Sequence, residues 1–283
     1  MQPMTVRSFS DEDLRATQPA LKIGLLATVT PEGLPHVTML STLMACGAKQ
    51  LSFGQFTEGH SKHNLRTNPR AGFMIMGLDR RLWRGTATFT HAQRHGAEFD
   101  YYNNVPMFRY NAYFGVHTVY YLDLVGHTGR RPLPMNRIIF AAVQTMTART
   151  LARRSVGTEV FNPWTRAFLN KLDNLKFLAY VGADGHPVII PAIQTQCLNA
   201  RQLAFATSVY SDELEAIPEG VNLAAFGLAL TMEDVLLRGV YRGIQRRGGV
   251  RVGLLDVDWV YNPMPPVPGQ VYPVLPLQAV TRF

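Results

Sequence analysis

Short apolar segments, some of them alternating with polar residues, recur along the chain in the manner typical of β-strands. They predict six strands in the first half of the chain, at residues 23–30, 35–43, 51–56, 71–77, 84–91 and 116–125. In the second of these strands, alternation places His36, Thr38 and Leu40 on one face. The pattern therefore predicts a mainly β fold with some helices.

Helical patterns interrupt the strands at residues 10–20, around Lys62, at 95–104 and at 133–152. The last of these has an apolar stripe formed by Met135, Ile138, Ile139, Ala142, Val143 and Met146. Basic residues gather where this helix ends, at Arg149, Arg153 and Arg154. We interpret the segment as a linking helix packed by its stripe, with a solvated basic end. An anionic partner at the basic end is the alternative.

The second half of the chain repeats the first at an offset of 152 residues. Gly33, Pro35, Ala48, Gln50, Leu51 and Phe53 recur as Gly185, Pro187, Ala200, Gln202, Leu203 and Phe205. A repeat kept in register over this length indicates a duplicated domain. We therefore predict a first copy at residues 1–128, linking helices at 129–173, and a second copy with a Pro-rich tail at 174–283.

One segment of the first copy has the composition of a phosphate site. Ser61 is predicted to cap the helix that follows the third strand, and Lys62 comes next. A helix start beside a lysine favours a phosphate group. An ordinary surface helix with solvated charges is the alternative. The second copy carries Asp212, Glu213 and Glu215 in this region, and these carboxylates would repel a phosphate. We therefore expect one phosphate site per chain.

Composition restricts the class of protein further. Hydrophobic residues make up 47% of the chain and charged residues 17%, which suits a globular protein. The net charge of +8 is concentrated in residues 129–173, whose 8 basic and 2 acidic residues give +6. A nucleic-acid partner is therefore not expected. No apolar run is long enough to predict a membrane span. Cys46 and Cys197 lie far apart in apolar segments, and a cytoplasmic location is expected.

Four segments taken in order resemble a known family. They are GLLATVTPEGLPHVTML, LSFGQ, SKHNLRTNPR and RGTATF. Together they resemble the pyridoxamine 5′-phosphate oxidase-like, FMN-binding split barrels, well over residues 20–128 and more weakly over 174–260. Members of this family are six-stranded antiparallel barrels that usually dimerise with FMN at the interface. For a tandem chain, the resemblance implies two split-barrel domains forming an intramolecular pseudo-dimer. A homodimer of the whole chain is the alternative.

The resemblance also implies which residues bind the cofactor. Carried over onto this sequence, they are His36, Thr38, Gln55, Ser61, Lys62, Arg80 and Arg84. The chain departs from the family pattern in two places. A single residue, His63, separates Lys62 from Asn64, and the preceding strand lacks the arginine of the true pyridoxamine phosphate oxidases. These departures argue against pyridoxamine as the substrate more than against a flavin.

Residues 106–115 combine aromatic, polar and basic side chains, and Arg109, Tyr110, Asn111 and Tyr113 are the predicted substrate-binding residues. Aromatic rings with an arginine can stack on a ring and pair with an anion. The alternative is a hydrogen-bonded aromatic corner. No metal site or catalytic triad is predicted.

The predicted function is that of a flavin-dependent oxidoreductase acting on a small molecule, with NAD(P)H as a candidate reductant. The alternatives are a non-catalytic flavin carrier or sensor, and a haem-binding split barrel. FMN is the predicted cofactor, and another flavin-like cofactor or haem is the alternative.

Overall fold

The structure is a computed structural model, and it describes residues 5–56, 59–107, 115–152, 158–231, 233–263 and 269–275. The helices are α1 Asp11–Thr17, α2 His60–Thr67, α3 Ala97–Asn104, α4 Met135–Thr150, α5 Pro163–Asn170 and α6 Ser211–Glu215. Among the described residues strands outnumber helices, and the strands form two eight-stranded sheets. The prediction of a mainly β protein with tandem split-barrel folds is confirmed.

The first sheet is built from eight antiparallel strands. They are β1 Lys22–Val29, β2 Pro35–Met39, β3 Met44–Gly47, β4 Gln50–Gln55, β5 Arg70–Gly77, β6 Arg81–Gln93, β7 Thr118–His127 and β8 Arg131–Pro132. Their order is β2-β1-β5-β6-β7-β4-β3, with β8 paired to β6. The strand predicted at residues 35–43 ends at Met39, because a turn follows in which the Leu43 amide donates to the Leu40 carbonyl.

One face of this sheet encloses a hydrophobic core. Its buried side chains include Leu26, Phe53, Phe73, Trp83, Tyr120 and Leu122. Leu65 of α2 belongs to the same core, so α2 packs against the core face of the sheet. A side-chain hydrogen bond fixes the helix further, because the Asn64 amide donates to Thr28 Oγ1 of β1 at 3.0 Å. Apolar packing and one polar contact thus position α2.

The second sheet repeats the first. Its strands are β9 Leu175–Val181, β10 Pro187–Pro191, β11 Gln196–Cys197, β12 Gln202–Ala206, β13 Asn222–Leu228, β14 Asp234–Arg247, β15 Val250–Asn262 and β16 Gly269–Tyr272. Their order is β10-β9-β13-β14-β15-β12-β11, the same as in the first sheet, and β16 pairs with β15. The Pro-rich tail thus adds a short strand.

Two glycines at equivalent positions make the same turn in both copies. Gly33 has φ +79° and Gly185 has φ +81°. The Gly33 amide donates to the Thr30 carbonyl, and the Gly185 amide donates to that of Gly182. Left-handed backbone favours glycine, so the same backbone conformation explains why glycine occurs at this position in both copies.

Helix α4 buries a face that differs from the predicted stripe. Its buried residues are Ile138, Ala141, Thr145 and Ala148, whereas Ile139, Val143 and Met146 are exposed. Thr145 Oγ1 accepts a hydrogen bond from the Ala206 amide of β12 at 2.9 Å. The small side chains of Ala141 and Ala148 let the helix approach the strand closely enough for this bond, and Ile139, Val143 and Met146 lie outside the contact. Arg153 and Arg154 lie outside the described residues.

The chain divides into two compact units. The first unit comprises residues 2–133 and 181–189, and the second comprises residues 134–180 and 190–283. Within the first unit, residues 181–189 contact β5: a Cβ added at Gly72 would lie 2.2 Å from the Pro187 carbonyl oxygen. Within the described part of the chain, no helix combines the length and the apolar character needed to cross a bilayer.

Candidate functional site

The start of α2 is the centre of the candidate site. Gly59, in extended backbone, is the N-cap residue. Ser61 lies inside the first turn, so the prediction that Ser61 caps the helix is wrong. The Ser61 side chain is buried, and its hydroxyl lies 2.5 Å from that of Thr38 on β2. Among the described residues, no side chain caps this helix, and its first turn holds no acidic residue. The first-turn amides and the helix dipole therefore favour an anion here.

Lys62 adds a positive charge at the same place. Its side chain is only 6% exposed, although a lysine on a short surface helix is usually solvated. A Cβ built on Gly59 would lie 3.7 Å from Lys62 Nζ, so the ammonium group folds back beside the N-cap. An anion that lies beside both the Lys62 ammonium and the N-terminus of α2 stabilises these two positive charges. The donors at this point thus suit a phosphate group.

Two further predicted residues border this region. His36 of β2 is buried, and its ring packs edge-on against that of the exposed His60, with centroids 5.6 Å apart. Gln55 is buried at the end of β4, on the sheet face that also carries Phe53. Its carbonyl accepts a hydrogen bond from the His117 amide at 3.0 Å. The structure thus places His36 and Thr38 beside α2, and Gln55 at the end of the strand that leads to it.

Arg80 and Arg84 do not join this group. Arg80 is exposed in the turn before β6, with φ +61°. Arg80 follows Gly77, which pairs with Lys22 of β1, whereas Thr38 pairs with Leu26, four residues further along β1. Four residues of strand are roughly 13 Å long, so the end of the sheet near Arg80 is separated from Thr38 by about this length.

Arg84 alternates with the core residue Trp83 and therefore lies on the other face of the sheet. Its guanidinium donates to the Ile189 carbonyl at 2.9 Å, within the first unit. The predicted substrate-binding residues, Arg109, Tyr110, Asn111 and Tyr113, lie outside the described residues.

The second copy has a different group at the equivalent position. Helix α6 has five residues, and Asp212 and Glu213 lie in its first turn. Glu213 and Leu214 are buried, and they follow Ser61 and Lys62 by 152 residues. Glu215 forms an ion pair with Arg251 at 3.0 Å. The hydroxyl and ammonium donors of the first copy are thus replaced by a carboxylate and an apolar side chain.

Two residues that position the site were not among the predicted binding residues. Gly59 provides the uncapped helix start, and Asn64 ties α2 to β1 through Thr28. The sequence signal for Gly59 is a glycine immediately before a basic helix. Asn64 shows no local signal, because its partner is 36 residues away.

A comparison with known protein families agrees with this fold. A sequence model of the family described as pyridoxamine 5′-phosphate oxidase matches residues 10–123. The match extends from the N-cap of α1 into β7, and so includes β1–β6 and α2. Residues 10–123 of the chain are therefore similar to the pyridoxamine 5′-phosphate oxidase family. No curated protein matches the chain.

Several solved structures are similar to part of the chain. HupZ of Group A Streptococcus is 17% identical, with a TM-score of 0.34 over 41% of this chain and 89% of that one. An FMN-binding protein of Syntrophomonas wolfei subsp. wolfei is 16% identical, with a TM-score of 0.34 over 41% of this chain and 82% of the other. A protein described as an F420 reductase is 18% identical, with a TM-score of 0.34 over 42% of this chain and 98% of its own.

Proposed function

We propose that the first unit binds FMN with the phosphate at the start of α2, and that the protein is a flavin-dependent oxidoreductase acting on a small molecule. The observation that carries the proposal is the buried ammonium of Lys62 beside the uncapped N-terminus of α2. The family match over residues 10–123 supports a cofactor of the flavin type.

The donors at this point match a phosphate group. An FMN phosphate presents three terminal oxygens, each of which accepts hydrogen bonds. The site supplies the Lys62 ammonium, the Ser61 hydroxyl and the first-turn amides of α2. Bonds from an ammonium or a helix N-terminus to an anion are stronger than bonds between neutral groups. Because Gly59 and His60 are exposed, this helix start is open to an incoming ligand.

The surrounding residues hold these donors in place. Thr38 fixes the Ser61 hydroxyl through their 2.5 Å contact. Asn64 anchors the helix to β1 through Thr28 at 3.0 Å. His36 and Gln55 supply buried polar side chains on strands that lead to the helix. A bound flavin would supply the electron-transfer chemistry, while these residues bind and orient its phosphate.

The spectrum of the purified protein tests the cofactor. The two visible absorption bands of an oxidised flavin, released on denaturation and identified as FMN, would support the proposal. A Soret band in the native protein would instead indicate haem, and would overturn it. Reconstitution of the cofactor-free protein with FMN, against riboflavin as the control without phosphate, tests the phosphate site. Equal affinity for the two compounds would contradict a phosphate contact.

The oxidoreductase part of the proposal has a separate test. The FMN-loaded protein is mixed anaerobically with NADH or NADPH, and loss of the visible flavin bands is followed. Bleaching by either nucleotide, followed by recovery of the bands on adding a small-molecule acceptor, would establish turnover. A flavin that neither nucleotide reduces would fit a carrier or sensor and contradict the enzyme with NAD(P)H as reductant.

A further inference from the structure

A second candidate ligand site lies in the first unit, at the end of β1 that is remote from Thr28. A cavity of about 550 Å³ opens there, and its lining includes Ala16, Ala20, Lys22, Leu78, Trp83 and Arg130. This volume is within the range of small-molecule pockets. Leu78 is 78% exposed, so it forms an accessible rim.

Lys22 is the polar group that distinguishes this cavity. Its side chain is 8% exposed, and its ammonium donates to the Pro19 carbonyl at 2.8 Å. An ammonium group has three N–H donors. Within the described part of the chain, no carboxylate lies within 4.0 Å of Lys22 Nζ. Burial lowers the pKa of Lys22 to about 8. Most of its hydrogen-bonding capacity and its charge are thus left without a protein partner.

The other charged side chains at the cavity form ion pairs. Arg130 forms ion pairs with Asp79 at 2.9 Å and with Glu12 at 2.8 Å. Its guanidinium also lies over the Trp83 ring, 5.3 Å from the centroid. Arg130 therefore has two carboxylate partners, and Asp79 is already paired. The positive charge left without a carboxylate at this cavity is that of Lys22.

The second copy carries an equivalent lysine with the same local contact. Lys176 lies 154 residues after Lys22, is 1% exposed, and donates to the Lys171 carbonyl at the end of α5. Lys22 likewise donates to a carbonyl just beyond α1. The shared role is therefore to hold the chain after the first helix of each copy. Lining a cavity is a further property of Lys22, and Lys176 is a matched control for it.

We propose that this cavity binds a small organic monocarboxylate with an apolar body, such as an arylalkanoate or a medium-chain fatty acid. The carboxylate would accept hydrogen bonds from the Lys22 ammonium, and the apolar body would pack against Trp83, Ala20 and Leu78. One unpaired cation in an apolar lining matches a single negative charge, whereas a phosphate dianion would leave a charge uncompensated. The proposal does not depend on flavin binding at α2.

Binding can be followed through Trp83. The chain has three tryptophans, so replacing Trp164 and Trp259 by Phe leaves Trp83 as the fluorescent reporter. The probes are 4-phenylbutyrate and octanoate, with 4-phenylbutan-1-ol and octan-1-ol as neutral controls. Calorimetry on the unmodified chain checks the affinities. We expect each acid to bind at least tenfold more tightly than its alcohol, because a charge-assisted hydrogen bond is lost in the alcohol.

Two pairs of variants locate the binding. Lys22→Met removes the cation, and Leu78→Glu places an anion at the exposed rim. Their controls are Lys176→Met and Leu230→Glu; Leu230 is 79% exposed and lies 152 residues after Leu78. We expect the first two variants to weaken acid binding at least tenfold and the controls to leave it unchanged. Leu78→Glu alters an exposed position, so it remains informative if Lys22→Met fails to fold.

Three results would overturn the proposal. They are no saturable binding of either acid, equal binding of acid and alcohol, and equal loss of binding in Leu78→Glu and Leu230→Glu. An FMN titration of the same variants distinguishes this cavity from the site at α2. A variant that loses flavin binding but still binds the acids bears on the proposed function and not on this cavity.

Discussion

The hydroxyl groups of Thr38 and Ser61 lie 2.5 Å apart and join β2 to the first turn of α2. Each hydroxyl carries one hydrogen, and the bond between them uses one of the two. The other hydrogen is left to donate elsewhere. The pair thus combines a structural contact with one donor beside the Lys62 ammonium.

Replacing Lys62 by Ala should weaken FMN binding. The change removes one charge-assisted contact of about 1.5–3 kcal/mol, which is roughly tenfold or more in affinity. Titration of the cofactor-free protein with FMN measures the effect, and Lys49→Ala, at an exposed position, is the control. A thermal melt checks that the variant is folded. Coincident titration curves for wild type and Lys62→Ala would exclude Lys62 from the site.

Each chain should bind one flavin. In the second copy, Glu213 and Leu214 stand where the first copy has Ser61 and Lys62, and Asp212 adds a further carboxylate. Burying a phosphate beside carboxylates without added cations is strongly unfavourable. Extracted flavin divided by protein concentration measures the ratio after saturation. A ratio near two would show that the acidic segment does not prevent binding.

Asp234 should make the protein less stable as the pH rises. Its side chain is 7% exposed, Oδ1 has no hydrogen-bond partner among the described residues, and burial raises the pKa to about 7. A raised pKa means that the folded state binds more protons than the unfolded state. The neutral acid therefore contributes stability at low pH, and this is lost as the pH rises towards about 7.

Asp234→Asn tests this directly. Above pH ~8, the variant should be more stable than wild type by about 1–3 kcal/mol, because no charge is buried. The difference should shrink towards pH ~5, where the wild-type side chain is neutral. Urea unfolding at several pH values measures it, with the exposed Asp212→Asn as control. A difference that does not depend on pH would show that titration of Asp234 is not the cause.

Alanine at Gly72 should destabilise the protein more than alanine at Gly33. At Gly72 the new Cβ would lie 2.2 Å from the Pro187 carbonyl oxygen, so backbone must move. At Gly33 no atom lies within 4 Å, and the cost comes only from the φ of +79°. We expect about 1–3 kcal/mol or more at Gly72 and about 1 kcal/mol at Gly33. Urea unfolding of both variants compares them, and the reverse order would contradict the contact at Gly72.

Local sequence pattern predicts the strands well. The strand predicted at residues 23–30 is Lys22–Val29, and the one at 71–77 is Arg70–Gly77. Short apolar runs and the turn residues that bound them act within a few positions, so they specify these elements locally. The prediction of the buried face of α4 was wrong, because that face depends on a contact with a distant part of the chain. Close approach to β12 selects small residues such as Ala141 and Ala148, and the pattern of large apolar residues does not report it.

The candidate site was predictable only in part. Ser61 and Lys62 share one helical turn, so the sequence places them together, but the contact of Ser61 with Thr38 joins residues 23 positions apart. Arg84 shows the limit clearly. Its partner, the Ile189 carbonyl, is 105 residues further along the chain. Lys22 lies immediately before the strand predicted at residues 23–30, and the cavity beside it depends on α1 and on the turn at Leu78.

The assignment of residues 181–189 to the first unit has a consequence for synthesis on the ribosome. Domains generally fold as units while the chain emerges, starting from the N-terminus. Here the first unit lacks the acceptor for Arg84 and the chain beside Gly72 until residue 189 has been made, 56 residues after Leu133. The nascent first copy therefore cannot complete its structure until part of the second copy has been synthesised.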